Sequence, residues 1–261
     1  MSSWRQATPR SKALGLSLLM AVLAGLTWAL PPMPQPLDYH RFADQRACLG
    51  LPNCLDTASN VLFVLAGAAG LRLLYRPSGR PVFIEQGEVL PYALFFFAAI
   101  MVGLGSGFYH LAPDNERLVW DRAAMALALM AWLAAILCER VSVKAGIRLL
   151  LPLVAAGLFS VAWWHWSEAR SLGDLRPYGL MQLSPMVLIP LVLRLYPPRY
   201  SHDRDILMVI GLYGAALLCD LSDRLVFTLT HGLVSGHTLK HVIAALAVWW
   251  VMRYLHRRKI L

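Results

Sequence analysis

What most constrains this chain is the recurrence of apolar runs long enough to cross a bilayer, ~20 residues each. They fall near 13–30, 57–75, 89–110, 118–138, 148–165, 177–195, 206–228 and 236–254. Eight such runs occupy roughly 160 residues, leaving short connections and no room for a folded soluble catalytic domain in a chain of 261. Only 15% of residues are charged, against roughly 25% in soluble domains. The pattern predicts an all-α polytopic membrane protein. Residues 1–35 read as a cytoplasmic tail with one extra N-terminal transmembrane helix or signal anchor, and residues 36–261 as a seven-helix membrane domain. Breaks fall at Pro31-Pro32, at Arg76-Pro77-Ser78-Gly79-Arg80-Pro81 and at Pro197-Pro198, where helices stop. The 206–228 run is the least regular, because Asp220, Asp223 and Arg224 interrupt it.

A net charge of +9 invites a nucleic-acid reading, but the basic residues sit at helix ends. Taking the start as cytoplasmic, one face receives Arg5, Arg10, Lys12, Arg72, Arg76, Arg80, Arg140, Lys144, Arg148, Arg194, Arg199, Arg204, Arg253, Arg257, Arg258 and Lys259. That is 16 of the 24 Lys and Arg, with at least three in every loop on that side. The positive-inside rule then predicts eight spans with both termini inside and no nucleic-acid partner. Thr27-Trp28-Ala29 offers a passable cleavage site, yet the apolar run before it exceeds the ~7–15 residues of a signal peptide, which favours an uncleaved anchor. Cys48 and Cys54 fall in an outer loop and could pair in an oxidising compartment, whereas Cys138 and Cys219 read as packing residues.

Ionisable groups inside lipid cost at least ~2.5–3.5 kcal/mol each on insertion scales, so they need partners or a role. Here they gather at one depth. Ser106 and His110 lie at the outer end of the third span, Asp121 at the outer start of the fourth, and His237 and His241 in the first turns of the last. The i, i+4 spacing of His237 and His241 puts both imidazoles on one helix face. Together with His110 they make the three-histidine ligand set of a catalytic zinc site with one coordination position left for water. His237-Thr-Leu-Lys-His241 lacks the adjacent glutamate of zinc hydrolase helices, so a general base must come from elsewhere, and Asp121 is nearest in depth.

Each residue also has a purely structural reading. Interfacial histidines bond headgroups, Ser106 lies in the small-residue stretch Gly103-Leu-Gly-Ser-Gly107 that suits helix packing, and Asp121 near a helix start is stabilised by the dipole. Asp220 and Asp223 read as partners of Arg224 or Lys240, with support of the histidines as the alternative. Asp56, Ser59 and Asn60 read as helix caps, and Trp163-Trp164-His165-Trp166 as an interfacial aromatic belt.

Gly105-Ser-Gly-Phe-Tyr-His110, Trp120-Asp121-Arg122 and Ser235-Gly-His237-Thr-Leu-Lys-His241 together resemble the alkaline ceramidase family, part of a membrane hydrolase superfamily that includes the adiponectin receptors. The resemblance runs from about Phe42 to Tyr254. Phe42-Ala-Asp-Gln-Arg46, Leu51-Pro-Asn53 and Asp56-Thr-Ala-Ser-Asn60 are similar to its bacterial branch. The resemblance implies a seven-helix core with zinc on His110, His237 and His241, Ser106 assisting the oxyanion, and Asp121 taking a proton from water. It implies hydrolysis of the N-acyl bond of ceramide or a related amide-linked lipid, a place in sphingolipid metabolism, and an inner-membrane location with the metal site toward the periplasm. The family's acidic calcium cluster is reduced here to Asp38, Asp44 and Asn53. The rival expectations are a non-catalytic receptor or lipid-binding protein with a structural metal, and, behind it, a proton or metal transporter.

Overall fold

The computed structural model describes residues 8–36, 38–79 and 81–261; Arg5 and Arg80 of the basic face lie outside the described residues. The described chain is all-α: α1 (Pro9–Ala29), α2 (Cys54–Ser59), α3 (Val61–Tyr75), α4 (Val89–Leu111), α5 (Asn115–Arg140), α6 (Val143–Glu168), α7 (Arg176–Leu195), α8 (Asp203–Leu221), α9 (Asp223–Leu229) and α10 (Gly236–Arg257). Side-chain caps set several starts. Asp114 accepts from the Arg117 amide at 2.7 Å, Ser142 from Ala145 at 3.1 Å and Ser235 from Thr238 at 3.0 Å, each answering an amide that the first turn leaves open.

Six helical segments are long and apolar enough to cross a membrane, α2 and α3 counting together, and the bent pair α8 and α9 makes a seventh if it is one span. The 206–228 run is therefore not one straight helix: α8 stops at Leu221 and α9 turns away by 81°. The physical reason lies in the charges that made the run irregular, since Asp220 and Asp223 turn toward partners described below. α10 has the length of a span, but His237, Lys240 and His241 at its start dilute its apolar content.

The helices close a ring in which α3 packs on α4, α4 on α5, α5 on α6 and α7, α8 on α10, and α10 back on α3; α7 touches α8 least, and α1 lies outside against α7. α5 is the most buried of the apolar spans and α1 the least. Leu151, Phe159, Leu218 and Trp249 face outward, so the outer surface is an apolar belt suited to acyl chains.

Opposite the histidines, the interior holds a nearly fully buried ion pair. Arg258 pairs with Glu139, which also accepts from Tyr92 Oη at 2.6 Å and Tyr254 Oη at 2.9 Å, while Arg258 donates to the Val82 carbonyl at 2.9 Å. The guanidinium lies over the Tyr200 ring at 4.0 Å. Both charges are almost fully buried, and together they rivet α4, α5 and α10 at one end. Removing one partner of such a pair leaves an uncompensated charge at a cost of about 3–5 kcal/mol. Arg258→Met is expected to lower the thermal unfolding midpoint in detergent by several degrees, and adding Glu139→Leu to recover much of the loss. An unchanged midpoint in the single variant would contradict the rivet.

Candidate metal centre

α10 starts close against its neighbours because residue 236 is glycine: a Cβ there would run into the Cys219 carbonyl and the Asp223 backbone. The first turns of α10 thus press onto the α8–α9 bend. His237 and His241 share one face, and His110 comes from the last turn of α4. His110 Nε2 and His237 Nε2 are 3.2 Å apart, and one potential ligand atom from each of the three rings lies within 4.8 Å of the others. The rings are 0%, 4% and 3% exposed for His110, His237 and His241. Among the described residues this is the one histidine, cysteine or carboxylate group placed to hold a metal ion.

The surrounding hydrogen bonds decide which nitrogen faces inward. Ser59 Oγ donates to the Asp56 carbonyl at 3.1 Å, so its lone pair accepts from His241 Nδ1 at 2.8 Å; the Asp56 carbonyl is also 3.1 Å from that nitrogen. His237 Nδ1 lies 2.8 Å from Asp220 Oδ1. With the Nδ1 proton of each ring held on an acceptor, both Nε2 atoms carry bare lone pairs, the arrangement by which acceptors behind metal-ligating histidines fix the tautomer. Imidazoles so arranged could hold a metal ion. His110 Nδ1, buried and without a hydrogen-bond partner among the described residues, does not compete with this assignment.

Several expectations need correcting here. Neither Asp56 nor Ser59 is a cap residue, and Asn60 gives no side-chain cap to the start of α3; its side chain instead serves the C-terminal end of α2. Asp56 Oδ1 accepts from Thr238 Oγ1 at 2.5 Å and Ser235 Oγ at 3.3 Å, and Asn60 Nδ2 donates to the Asp56 carbonyl at 2.7 Å. Asp56 and Ser59 bind α2 to the start of α10 and hold His241 from behind. Asp220 holds Lys240 at 3.2 Å as well as His237, so pairing and histidine support are one arrangement. Asp223 pairs with neither Arg224 nor Lys240: its carboxylate accepts from the His237 amide at 2.9 Å and the Ala43 amide at 2.8 Å. Trp164 is not part of an interfacial belt; it is fully buried, with the Arg122 guanidinium 4.0 Å from its ring. Asp121 does not open its helix, which Asp114 caps two turns earlier. Asn53 donates to the His110 carbonyl at 2.8 Å and Asp44 pairs with Arg46 at 2.7 Å, so neither contributes to an oxygen cluster.

Sequence reasoning missed Phe42, whose ring covers His110 and His237 at centroid distances of 4.7 and 4.4 Å. The Phe42–Arg46 stretch was visible only as part of a motif. It closes over the rings through the Ala43 amide and through Arg46, which donates to the Leu233 carbonyl. The Arg46 guanidinium beside Asp44 holds that carboxyl below the usual carboxylate range, so the pair persists until the pH falls through the depressed value. Cys48 and Cys54 form a disulfide with Cα atoms 5.5 Å apart, just before α2.

Ser106 and Asp121, 2% and 7% exposed, line one end of an apolar cavity together with His241 and Lys240. Close packing in this stretch is done by Gly103 against α3 and by Gly105 against the Trp120 carbonyl, which leaves the Ser106 side chain for the cavity. The walls continue to Phe95 on α4, Trp132 on α5 and Val248 on α10. At about 1.5 Å per helical residue the eleven positions from Ser106 to Phe95, or from Asp121 to Trp132, span ~16 Å. The structure therefore brings all five residues singled out from sequence to one end of the bundle; Ser106, Asp121 and His241 line the cavity, and His110 and His237 group with His241 beside it. No protein-family model, curated protein or solved structure matches the chain.

His110→Ala, His237→Ala and His241→Ala are each expected to abolish stoichiometric zinc, measured by elemental analysis of purified protein. Asp220→Asn is expected to weaken zinc binding by about 10–100-fold, read by competition with a chromogenic chelator. Wild-type affinity in Asp220→Asn would remove Asp220 from the site.

Proposed function

We propose that this protein is a zinc-dependent intramembrane amide hydrolase that cleaves the N-acyl bond of ceramide or a related amide-linked lipid and releases a fatty acid. The observation that carries this reading is the buried three-histidine group beside an apolar cavity whose lining includes His241 together with the Asp121 carboxylate and the Ser106 hydroxyl. His110, His237 and His241 would hold the ion, which in such a set supplies Lewis-acid polarisation and lowers the pKa of water to about 7. The resemblance to alkaline ceramidases supports the same assignment.

The chain's own residues divide the remaining work. Asp121 takes a proton from the attacking water on its carboxylate and returns it to the departing amine nitrogen, the two halves of general acid–base catalysis. Ser106 donates one hydrogen bond to the oxygen on which charge develops. The apolar walls between Ser106 and Phe95 receive the acyl chain, which reaches them laterally from lipid. Phe42 and the segment behind it keep bulk water from the rings, which strengthens every electrostatic contact beneath. By the positive-inside rule the histidine end faces the outer leaflet, where the amide of a membrane lipid sits just below the headgroups.

A second reading, a receptor or lipid-binding protein with a structural metal, draws on the near-complete burial of the three rings under Phe42. The two separate by product. Purified protein incubated with a panel of N-acyl lipids, with and without chelator, is expected to release fatty acid in a zinc-dependent manner by mass spectrometry. Asp121→Asn is expected to retain zinc and lose about 10²–10⁴-fold in rate. Lipid bound at stoichiometry with no product from any member would favour the receptor; full turnover by a zinc-free histidine variant would overturn both roles of the metal.

A further inference from the structure

Lys240 is a cation that the hydrolase reading does not use. It lies on α10 between the two histidines of that helix, and its side chain is largely buried against Asp220. It lines the cavity at the same end as Ser106, Asp121 and His241. Its hydrogen-bond acceptors among the described residues are Asp220 Oδ1 at 3.2 Å and His237 Nδ1 at 3.3 Å. These two are not available together. His237 presents a bare Nε2 only when Nδ1 carries the proton, and that proton lies on Asp220, so Nδ1 then has no lone pair to offer the ammonium. One of the three ammonium N–H groups is answered by Asp220, the other two then have no hydrogen-bond acceptor among the described residues, and the side chain lines the cavity.

A buried ammonium with unanswered donors is costly in a membrane interior. Asp220 orients His237 without any help from a cation. Asp121 is near enough to interact electrostatically with the ammonium but makes no hydrogen bond to it among the described residues. The end of the cavity where Lys240 lies is the headgroup end, about 16 Å along the helices from Phe95 and Trp132. A partner for Lys240 therefore belongs to the polar part of the substrate and not to its acyl chain.

We propose that Lys240 binds an acidic oxygen on the amine half of the substrate, so that the preferred lipids carry a carboxylate within a few bonds of the amide, as in an N-acyl amino acid. This deepens the hydrolase reading and rests on it for the position of the amide. A charge-assisted hydrogen bond in a site shielded from water discriminates the acid from its neutral counterpart by at least about tenfold.

The test compares N-dodecanoylglycine with N-dodecanoylethanolamine on the full-length protein in detergent, by turnover and by calorimetric binding to zinc-loaded and chelator-treated samples. Wild type is expected to favour the acid at least tenfold in both readouts. Lys240→Met is expected to bring the ratio near one, and Lys240→Arg to retain most of it. Because the ratio is taken within one preparation, a smaller folded fraction cancels. Equal ratios in wild type and Lys240→Met would overturn the proposal, as would a wild-type preference for the neutral amide. If Lys240→Met changes only the affinity for dodecanoic acid, the residue reads the released carboxylate and the proposal also fails. A binding preference that depends on Lys240, with turnover of neither lipid, would sink the hydrolase reading while upholding recognition of the acid; turnover of both without preference would do the reverse.

Discussion

A polar atom inside a lipid-facing bundle has to be answered by another polar atom of the chain, and the interior of this protein is organised by that requirement. Two polar layers sit at opposite ends of the same three helices. At one end Tyr92 of α4, Glu139 of α5 and Tyr254 of α10 surround the Arg258 pair. At the other, Ser106 and His110, Asp121, and His237 with His241 come from those same helices in the same order. The ion pair is far from the histidines, yet it ties together the same three helices that deliver the residues of the other layer. Between the layers the walls are apolar, and the cavity occupies that stretch.

The three-histidine group was legible in sequence because its signal is local and periodic. Two histidines one turn apart define a face, and helix alternation brings His110 and Asp121 to the same depth. What surrounds the histidines was not legible, for a physical reason. An aspartate or serine in a first helical turn is satisfied equally well by a nearby amide or by a group on another helix, and spacing alone does not choose. Asp56 and Ser59 chose Thr238 and His241, each 182 residues away along the chain. The 206–228 run misled in the opposite sense: its apolar length was real, but the demand of Asp220 and Asp223 for partners on α10 bends it at Ser222. Trp164 was misplaced because an aromatic cluster has no directional signature, and the burial of Arg122 beside it is a tertiary fact.

Small residues explain how so many polar groups meet in so little space. Gly103 and Gly105 let α4 approach α3 and α5, and Gly236 seats α10 on the bend after α8. Each approach shortens the distance across which a carboxylate must reach. The hydrogen bonds around the histidines are therefore a product of backbone proximity as much as of side-chain identity.

The bend at Ser222 has one more consequence. His237 is gripped twice by a stretch of four residues, its ring by Asp220 before the turn and its main chain by Asp223 after it. Because the two grips come from helices set at 81° to one another, a single added or deleted residue between them would swing one carboxylate out of reach while leaving the other in place. Length variation that the extramembrane connections absorb freely is thus forbidden at this corner, and the corner behaves as a fixed gauge for the imidazole it holds.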